Sequence, residues 1–177
     1  MKKQIQRFWL ENHGLVINEF ALILPLMIAI WAGMIEIGNL HFVGRKLALS
    51  TQSVADLVAQ ERSITSTKLN NIVDAGNAIM FPYPIGSMGY RFQSVEINAS
   101  DTIVSAWLFN FGATQPGTGT IPPQAESLLT ENDSTIYVRV VYTYSPILAS
   151  LVPGVGDIQL TEEAFAKPRK INKIPLE

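Results

Sequence analysis

Residues 15–43 read LVINEFALILPLMIAIWAGMIEIGNLHFV, an almost wholly apolar run broken mainly by Glu19, Glu36 and His41. Its clean core, Phe20 to Ile35, is sixteen residues long. A helix needs about 20 apolar residues to cross a bilayer, with a range of roughly 17–25. With Glu19 and Glu36 near the two ends, 15–37 has that length. Past this point the pattern becomes periodic. Leu40, Val43, Leu47, Val54, Leu57 and Val58 recur every three to four residues, and Arg45, Lys46, Gln52, Asp56 and Gln60 fill positions between them. That period is the signature of an amphipathic helix. No proline interrupts residues 26–81. The pattern predicts one helix over about 15–61, roughly 70 Å long at 1.5 Å per residue. Its first half is apolar all round, and the stripe on its second half predicts packing under a folded domain.

Ser63, Thr65 and Ser66 are candidate N-caps for a second helix. Leu69, Ile72, Val73, Ala75, Ile79 and Met80 give it an apolar stripe, and Phe81-Pro82-Tyr83-Pro84 ends it, because a residue before proline is pushed out of the helical region. Strand patterns follow. Tyr90–Asn98 is aromatic and β-branched, Asn98–Asp101 reads as a hairpin turn, and Thr102–Phe109 is the next strand. Residues 110–134, rich in Gly, Pro, Thr and Ser, read as a long surface loop. From Thr135 to Tyr144, Ile136, Val138, Val140 and Tyr142 alternate with Tyr137, Arg139, Val141 and Thr143. A last strand is expected from about Asp157 to Ala166. The connections are too short for parallel crossovers, so the sheet is expected to be antiparallel. The predicted fold class is α+β. A long membrane-spanning helix continues into an amphipathic stem, then a second helix, then an antiparallel sheet.

At 177 residues the chain has the size of about one domain. It is 47% hydrophobic and 16% charged, against roughly 25% charged in an ordinary soluble domain, which argues against both disorder and a typical cytosolic enzyme. Residues 1–14 hold Lys2, Lys3 and Arg7 against Glu11. Basic residues before a span place that end in the cytoplasm and the rest outside. The body has no basic surplus, so no nucleic-acid partner is expected. The absence of cysteine excludes disulfides, thiolate metal sites and cysteine nucleophiles. Of two histidines, only His41 lies outside the first fourteen residues. Gly-x-Ser-x-Gly is missing. Glu162 and Glu163 are neighbours on a strand and face opposite ways. Asp101, Asp133 and Asp157 fall in predicted turns, where turn formation explains them. No catalytic, metal or cofactor site is expected, and the chain reads as a non-enzyme.

Glu19 demands its own account. A carboxylate inside a spanning helix costs roughly 2.5–3.5 kcal/mol on insertion scales, less near an end. A cleaved secretory signal would have an apolar region of about 7–15 residues and a small-x-small site directly after it. Here the apolar run is longer, and Ala48-Leu49-Ser50 comes only after Arg45 and Lys46. The leader ends in Gly14, and Leu15-Val16-Ile17-Asn18-Glu19-Phe20 opens the apolar helix. This resembles the processing site of type IV-like prepilins. Glu19-Phe20-Ala21-Leu22-Ile23-Leu24-Pro25, with Glu36-Ile37-Gly38 farther on, resembles the TadE-like minor pilins or pseudopilins of tight-adherence (Tad) pilus systems. Tyr142-Thr143-Tyr144-Ser145-Pro146 and Ala166-Lys167-Pro168-Arg169 are similar to that family's ending.

The resemblance implies a pilin-like fold with four parts. Residues 1–14 are a cytoplasmic leader, 15–37 a transmembrane segment, 38–166 an extracytoplasmic α+β domain and 167–177 a basic tail. It implies processing between Gly14 and Leu15 by a prepilin peptidase, and assembly roles for Glu19 and Phe20. It further implies other pilins or pseudopilins, an assembly platform and membrane lipid as partners, with residence in a bacterial inner membrane as a single-pass protein. Independently of any family, a cut after Gly14 would leave an α-ammonium on Leu15. Glu19, four residues on, shares its helical face. In low dielectric an unpaired carboxylate prefers to be protonated, so an ammonium of the same or a neighbouring subunit would complete it. Two alternatives stay open: a type II secretion pseudopilin, and a single-pass membrane protein with an extracytoplasmic binding domain. The tail is expected to be a solvated end, or else a contact for anionic lipid or an acidic patch.

Overall fold

The computed structural model describes residues 13–98, 100–114, 116–130, 133–150, 154 and 156–177, with backbone alone at 13–16, 148 and 150. The basic leader before His13 lies outside them. Helix α1 runs His13–Ala59, 47 residues with Pro25 inside it, so apolar and amphipathic halves are one continuous element. Helix α2 runs Ser66–Met80, and the Thr65 side chain caps it by accepting from the Lys68 N–H. Four strands follow: β1 (Met88–Ile97), β2 (Ile103–Gly112), β3 (Ser134–Tyr144) and β4 (Ile158–Ala166). A short helix α3 (Pro123–Ser127) and a 3-10 turn (Ile147–Ser150) interrupt the connections around β3. The sheet order is β2-β1-β3-β4, antiparallel throughout. The expected α+β layout is therefore present, with element bounds within a few residues of the sequence pattern.

Both helices cover one face of the sheet. Val43, Leu47, Val54, Ala55 and Val58 of α1 meet Leu69, Ile72 and Met80 of α2. Beneath them lie Tyr90, Phe92, Trp107, Ile136, Val138, Val140 and Tyr142. Each fully buried aliphatic or aromatic side chain contributes about 1.5–3 kcal/mol, so this layer fixes how α1 sits on the sheet. Leu57, expected in the stripe, is instead exposed; it falls outside the buried face that Val54, Ala55, Val58 and Ala59 form at the end of α1. The helices approach closely at Gly76. The Ser50 hydroxyl donates to the Gly76 carbonyl at 2.9 Å, and a Cβ on Gly76 would stand 2.7 Å from Val54 Cγ2. Tyr90, stacked on Phe92, reaches between the helices to donate to Asn77 Oδ1 at 3.0 Å.

One expectation is extended and one corrected. The segment after β2 is a mostly exposed surface loop, as expected, and it also straps the sheet's outer face. Pro116 and Ala125 are buried. The Arg91 guanidinium donates to the Thr118 and Thr120 carbonyls, and Gln93 donates to Gly119. Arg91 also lies over the Tyr137 ring, 5.0 Å from its centroid, and the Tyr137 hydroxyl donates to Glu163 at 2.7 Å. This covering is why Tyr137 and Val141, on the outward register of β3, are as buried as their inward neighbours. The path is tight enough that a Cβ on Gly89 would collide with the Thr114 carbonyl at 1.6 Å.

The basic tail is not a frayed end. Its backbone is tied to three elements by Arg169 N–H to Ala59 O, Ser134 N–H to Asn172 O and Ile64 N–H to Pro175 O. Ile174 is buried, and its carbonyl accepts from the Trp107 indole at 2.8 Å. Ion pairs of Lys167 with Asp133 and of Lys173 with Glu96 add to this. Such partly exposed pairs are worth about 0–1 kcal/mol each, so the backbone bonds and Ile174 do most of the holding.

Glycine replacement tests the helix contact. Gly44 of α1 has nothing within 4 Å of a new Cβ, whereas Gly76 meets Val54. Gly44→Ala is expected to stabilise by about 0.5–1 kcal/mol through helix propensity. Gly76→Ala is expected to destabilise by about 1–3 kcal/mol through overpacking. Thermal unfolding of the full chain in detergent distinguishes the two, and equal shifts would mean the α1–α2 contact is not close-packed.

Candidate functional site: the exposed half of the long helix

Helix α1 changes surroundings along its length. From Asn18 to Trp31 every residue is exposed. Leu22 at 82% and Trp31 at 65% relative exposure illustrate how little protein touches this half. A contiguous apolar surface of this size far exceeds the few hundred Å² that soluble monomers normally expose. The helix is long and apolar enough to cross a membrane, and none of its most apolar stretch is buried within the protein. From Ala32 onward, partly covered positions begin to appear, and Val43 is fully buried.

The sequence-predicted residues fall in the exposed half. Gly14 and Leu15 lie in the first turn of α1, and Glu19 lies one turn beyond Leu15. Glu19 and Phe20 are both exposed, and Glu19 has no partner among the described residues. The helix thus places the Leu15 backbone and Glu19 on the same face, as the spacing predicts. No other described element comes near them.

Glu36 is the residue whose role the sequence pattern did not give. One of its carboxylate oxygens accepts from the Tyr144 hydroxyl at 2.5 Å, and the other accepts from the Ile147 N–H at 3.0 Å. Both partners are more than a hundred residues away, at the end of β3 and the start of the 3-10 turn. Charge-assisted hydrogen bonds of this kind are short and about twice as strong as neutral ones. Burial and the neighbouring Glu36 carboxylate push the Tyr144 hydroxyl well above its usual range, so Tyr144 remains the donor at every physiological pH. The signal that could have exposed this clamp was present: a carboxylate in an apolar helix needs a partner. The partner itself lay beyond any local pattern.

Higher on the helix, Lys46 donates to the Ile79 and Phe81 carbonyls at 3.1 and 2.8 Å. Those carbonyls belong to the last turn of α2 and its exit, where a cation is favoured. Glu36 and Lys46 together tie both neighbouring connections, at 81–87 and 145–157, to α1 where it leaves the domain. Groups of three or more His, Asp or Glu able to hold a metal are absent among the described residues. What the described residues present here is an exposed apolar surface and the junction by which it joins the domain.

Removing one partner of the clamp should cost more than a surface pair. Tyr144→Phe is expected to lower stability by about 1.5–3 kcal/mol, the range for hydrogen bonds to charged groups. In a chain of this size each kcal/mol moves Tm by about 2–4 °C. In a Glu36→Ala background the same Tyr144→Phe change should cost little, and strictly additive losses in this double-mutant cycle would show that the two groups are not coupled.

Among known proteins, no family profile, no curated protein and no solved structure matches the chain.

Proposed function

We propose that this chain is a TadE-like minor pilin or pseudopilin, a structural subunit needed to assemble a Tad-type pilus. The observation that carries the proposal is the exposed apolar half of α1, continuous with the domain's own core helix and bearing Glu19 at its start. A helix of this kind has two uses. In the bilayer it anchors the subunit, its backbone satisfied internally as lipid requires. Withdrawn from lipid, the same apolar cylinder packs against copies of itself or related subunits. Ala29 and Gly33, four residues apart, permit close helix approach.

In this proposal residues 1–14 face the cytoplasm and are removed by a prepilin peptidase, and the domain beyond the span is extracytoplasmic, at a bacterial inner membrane. Processing would create the Leu15 ammonium one turn from Glu19. A subunit then carries an acid and a base near one end of an otherwise apolar helix. Desolvating either alone is costly, and pairing them between subunits offsets that cost. The charge pair therefore sets the axial register of packing, as a polar residue does in a coiled coil. The function is assembly, without catalysis or a cofactor.

Coexpression with a prepilin peptidase tests this directly. Mass spectrometry of the membrane-extracted protein should show loss of residues 1–14, and Gly14→Val should retain them, since a side chain there obstructs the backbone's approach to the peptidase. An uncut wild-type chain would overturn the prepilin assignment. Glu19→Gln should be cleaved and membrane-resident yet fail to copurify or cross-link with other pilins. Glu19→Asp should be intermediate because its side chain reaches less far. Full copurification of Glu19→Gln would remove the register role from Glu19.

A further inference from the structure

The folded domain is electrically divided between its two ends. At one end lie the α1–α2 turn, the β1–β2 turn, the approach to β3 and the tail, with Glu61, Arg62, Lys68, Asp101, Asp133, Lys167, Arg169, Lys170 and Lys173. At the other end are the connections from α2 to β1, out of β2, and from β3 to β4. Residues 75–90, 102–125 and 140–156 contain no Asp, Glu, Lys or Arg, and acids come only at the margins of that end, with Asp157 just before β4 and Asp74 beside Phe81 and Ile85. Side chains at that end are apolar and exposed. Phe81 is 78% and Ile147 64% exposed, and Ile85 is exposed as well. Tyr83, Pro84, Tyr144 and Ile147 line an open groove beside Asn39 of α1.

This charge-poor end is the one from which the apolar half of α1 emerges. The Ile147 N–H is bonded to Glu36, and Phe81 is tied through its carbonyl to Lys46. The 3-10 turn packs on α1. Helix geometry then sets its depth. From Ile17 to Glu36 is twenty residues, about 30 Å at 1.5 Å each, which matches the thickness of a hydrocarbon core. From Glu19 to Arg45 is about 39 Å, close to the roughly 40–45 Å that includes the headgroups. Seated with Glu19 at the inner boundary, a hydrocarbon core of about 30 Å ends near Asn39, one turn past Glu36, and Arg45, about 9 Å farther on, lies at the outer headgroups.

We propose that the domain does not stand clear of the membrane on its helix: its charge-poor end, through Ile147, Phe81 and Ile85, is seated in the outer lipid interface around the helix exit. The proposal rests on the membrane-spanning part of the function proposed above and adds a second, domain-borne lipid contact. The occupant is lipid because Ile147 is bonded to Glu36 at the helix exit, where the exposed apolar half of α1 begins. This surface also places tyrosine and phenylalanine at the depth where aromatic side chains favour the interface. Two fixed points of contact, helix and domain end, would hold the subunit in one orientation before extraction. The Glu36 clamp keeps them rigidly joined.

The absence of cysteine makes the test clean. Full-length protein with single spin-labelled cysteines at Ile147, Phe81, Ile23 or Lys170 is reconstituted in vesicles of phosphatidylethanolamine and phosphatidylglycerol. All four positions are exposed, so the labels do not disturb the core. Power saturation reads access to oxygen, which enters lipid, and to a water-soluble nickel chelate. The expected result is Ile23 deepest, Ile147 and Phe81 several-fold less accessible to nickel than Lys170, and oxygen access retained at both. Nickel access at Ile147 and Phe81 equal to that at Lys170, with Ile23 still shielded, would overturn this inference and leave the span intact. Low access to both reagents at 147 and 81 would mean a protein contact and would also overturn it. Ile23 open to nickel would overturn the membrane reading itself, and this inference with it.

Discussion

One continuous helix must satisfy two different surroundings, and the rest of the molecule is arranged around the point where it passes from one to the other. Along α1 the backbone is largely self-satisfied, Pro25 alone withholding an interior N–H, so surroundings matter chiefly to side chains. Below Glu36 the side chains are apolar on every side, which suits lipid or a bundle of like helices. Above Val43 they are apolar on one stripe, which suits a sheet. A flexible joint between these halves would let the domain swing. Instead the helix runs through, and Glu36 is held by the far end of β3 and the 3-10 turn. A carboxylate in an apolar helix is ordinarily a liability; here, half-buried, it is the fastener.

That arrangement explains why the sheet is packed so firmly on α1. The contact is built from Val43, Leu47, Val54 and Val58, with Gly76 letting α2 settle against Val54 and Ser50. Interiors packed at this density transmit displacement rather than absorbing it. A force on the apolar half of α1 would therefore be delivered to the domain as a whole. The outer face is stiffened in the same manner by the strap, whose carbonyls receive Arg91 and Gln93. Arg91 and Arg139 are directly paired across β1 and β3, a like-charge juxtaposition relieved by the Tyr137 ring, by Glu163 and by those loop carbonyls.

Much of this was legible in the sequence because it is local. The three-to-four period of Leu40 to Val58, the Thr65 cap, the Phe81-Pro82 stop and the alternation from Ile136 to Thr143 each report on residues within one turn or one pleat. The strap and the tail were not legible for the opposite reason. Nothing near Gly117–Thr120 says that Arg91 will seek their carbonyls. Nothing in Lys167–Glu177 says that Ile174 will be buried beside Trp107, since a basic, proline-bearing end normally stays in water. The same limit applies at the candidate site. That Glu19 is anomalous follows from its own neighbours, but that Glu36 has a partner depends on Tyr144 and Ile147, over a hundred residues away.

The two glutamates pose the same problem in α1 and meet it differently. Both interrupt an apolar helix, and each would carry an insertion cost of a few kcal/mol if left alone in lipid. Glu36 is satisfied within its own chain, by a hydroxyl and a backbone N–H that hold it fixed. Glu19 has no such support, because no other described element reaches its end of the helix. Fixed donors for Glu36 make a permanent joint. Glu19, lacking them, suits a joint made only when a second group arrives. Under the proposed function, an ammonium created by cleavage at Leu15 would have the complementary charge, lie at the same helix end, and exist only after processing. In that reading the order of events is written into the chemistry: the domain is clamped first, the pairing group appears second, and assembly waits on it.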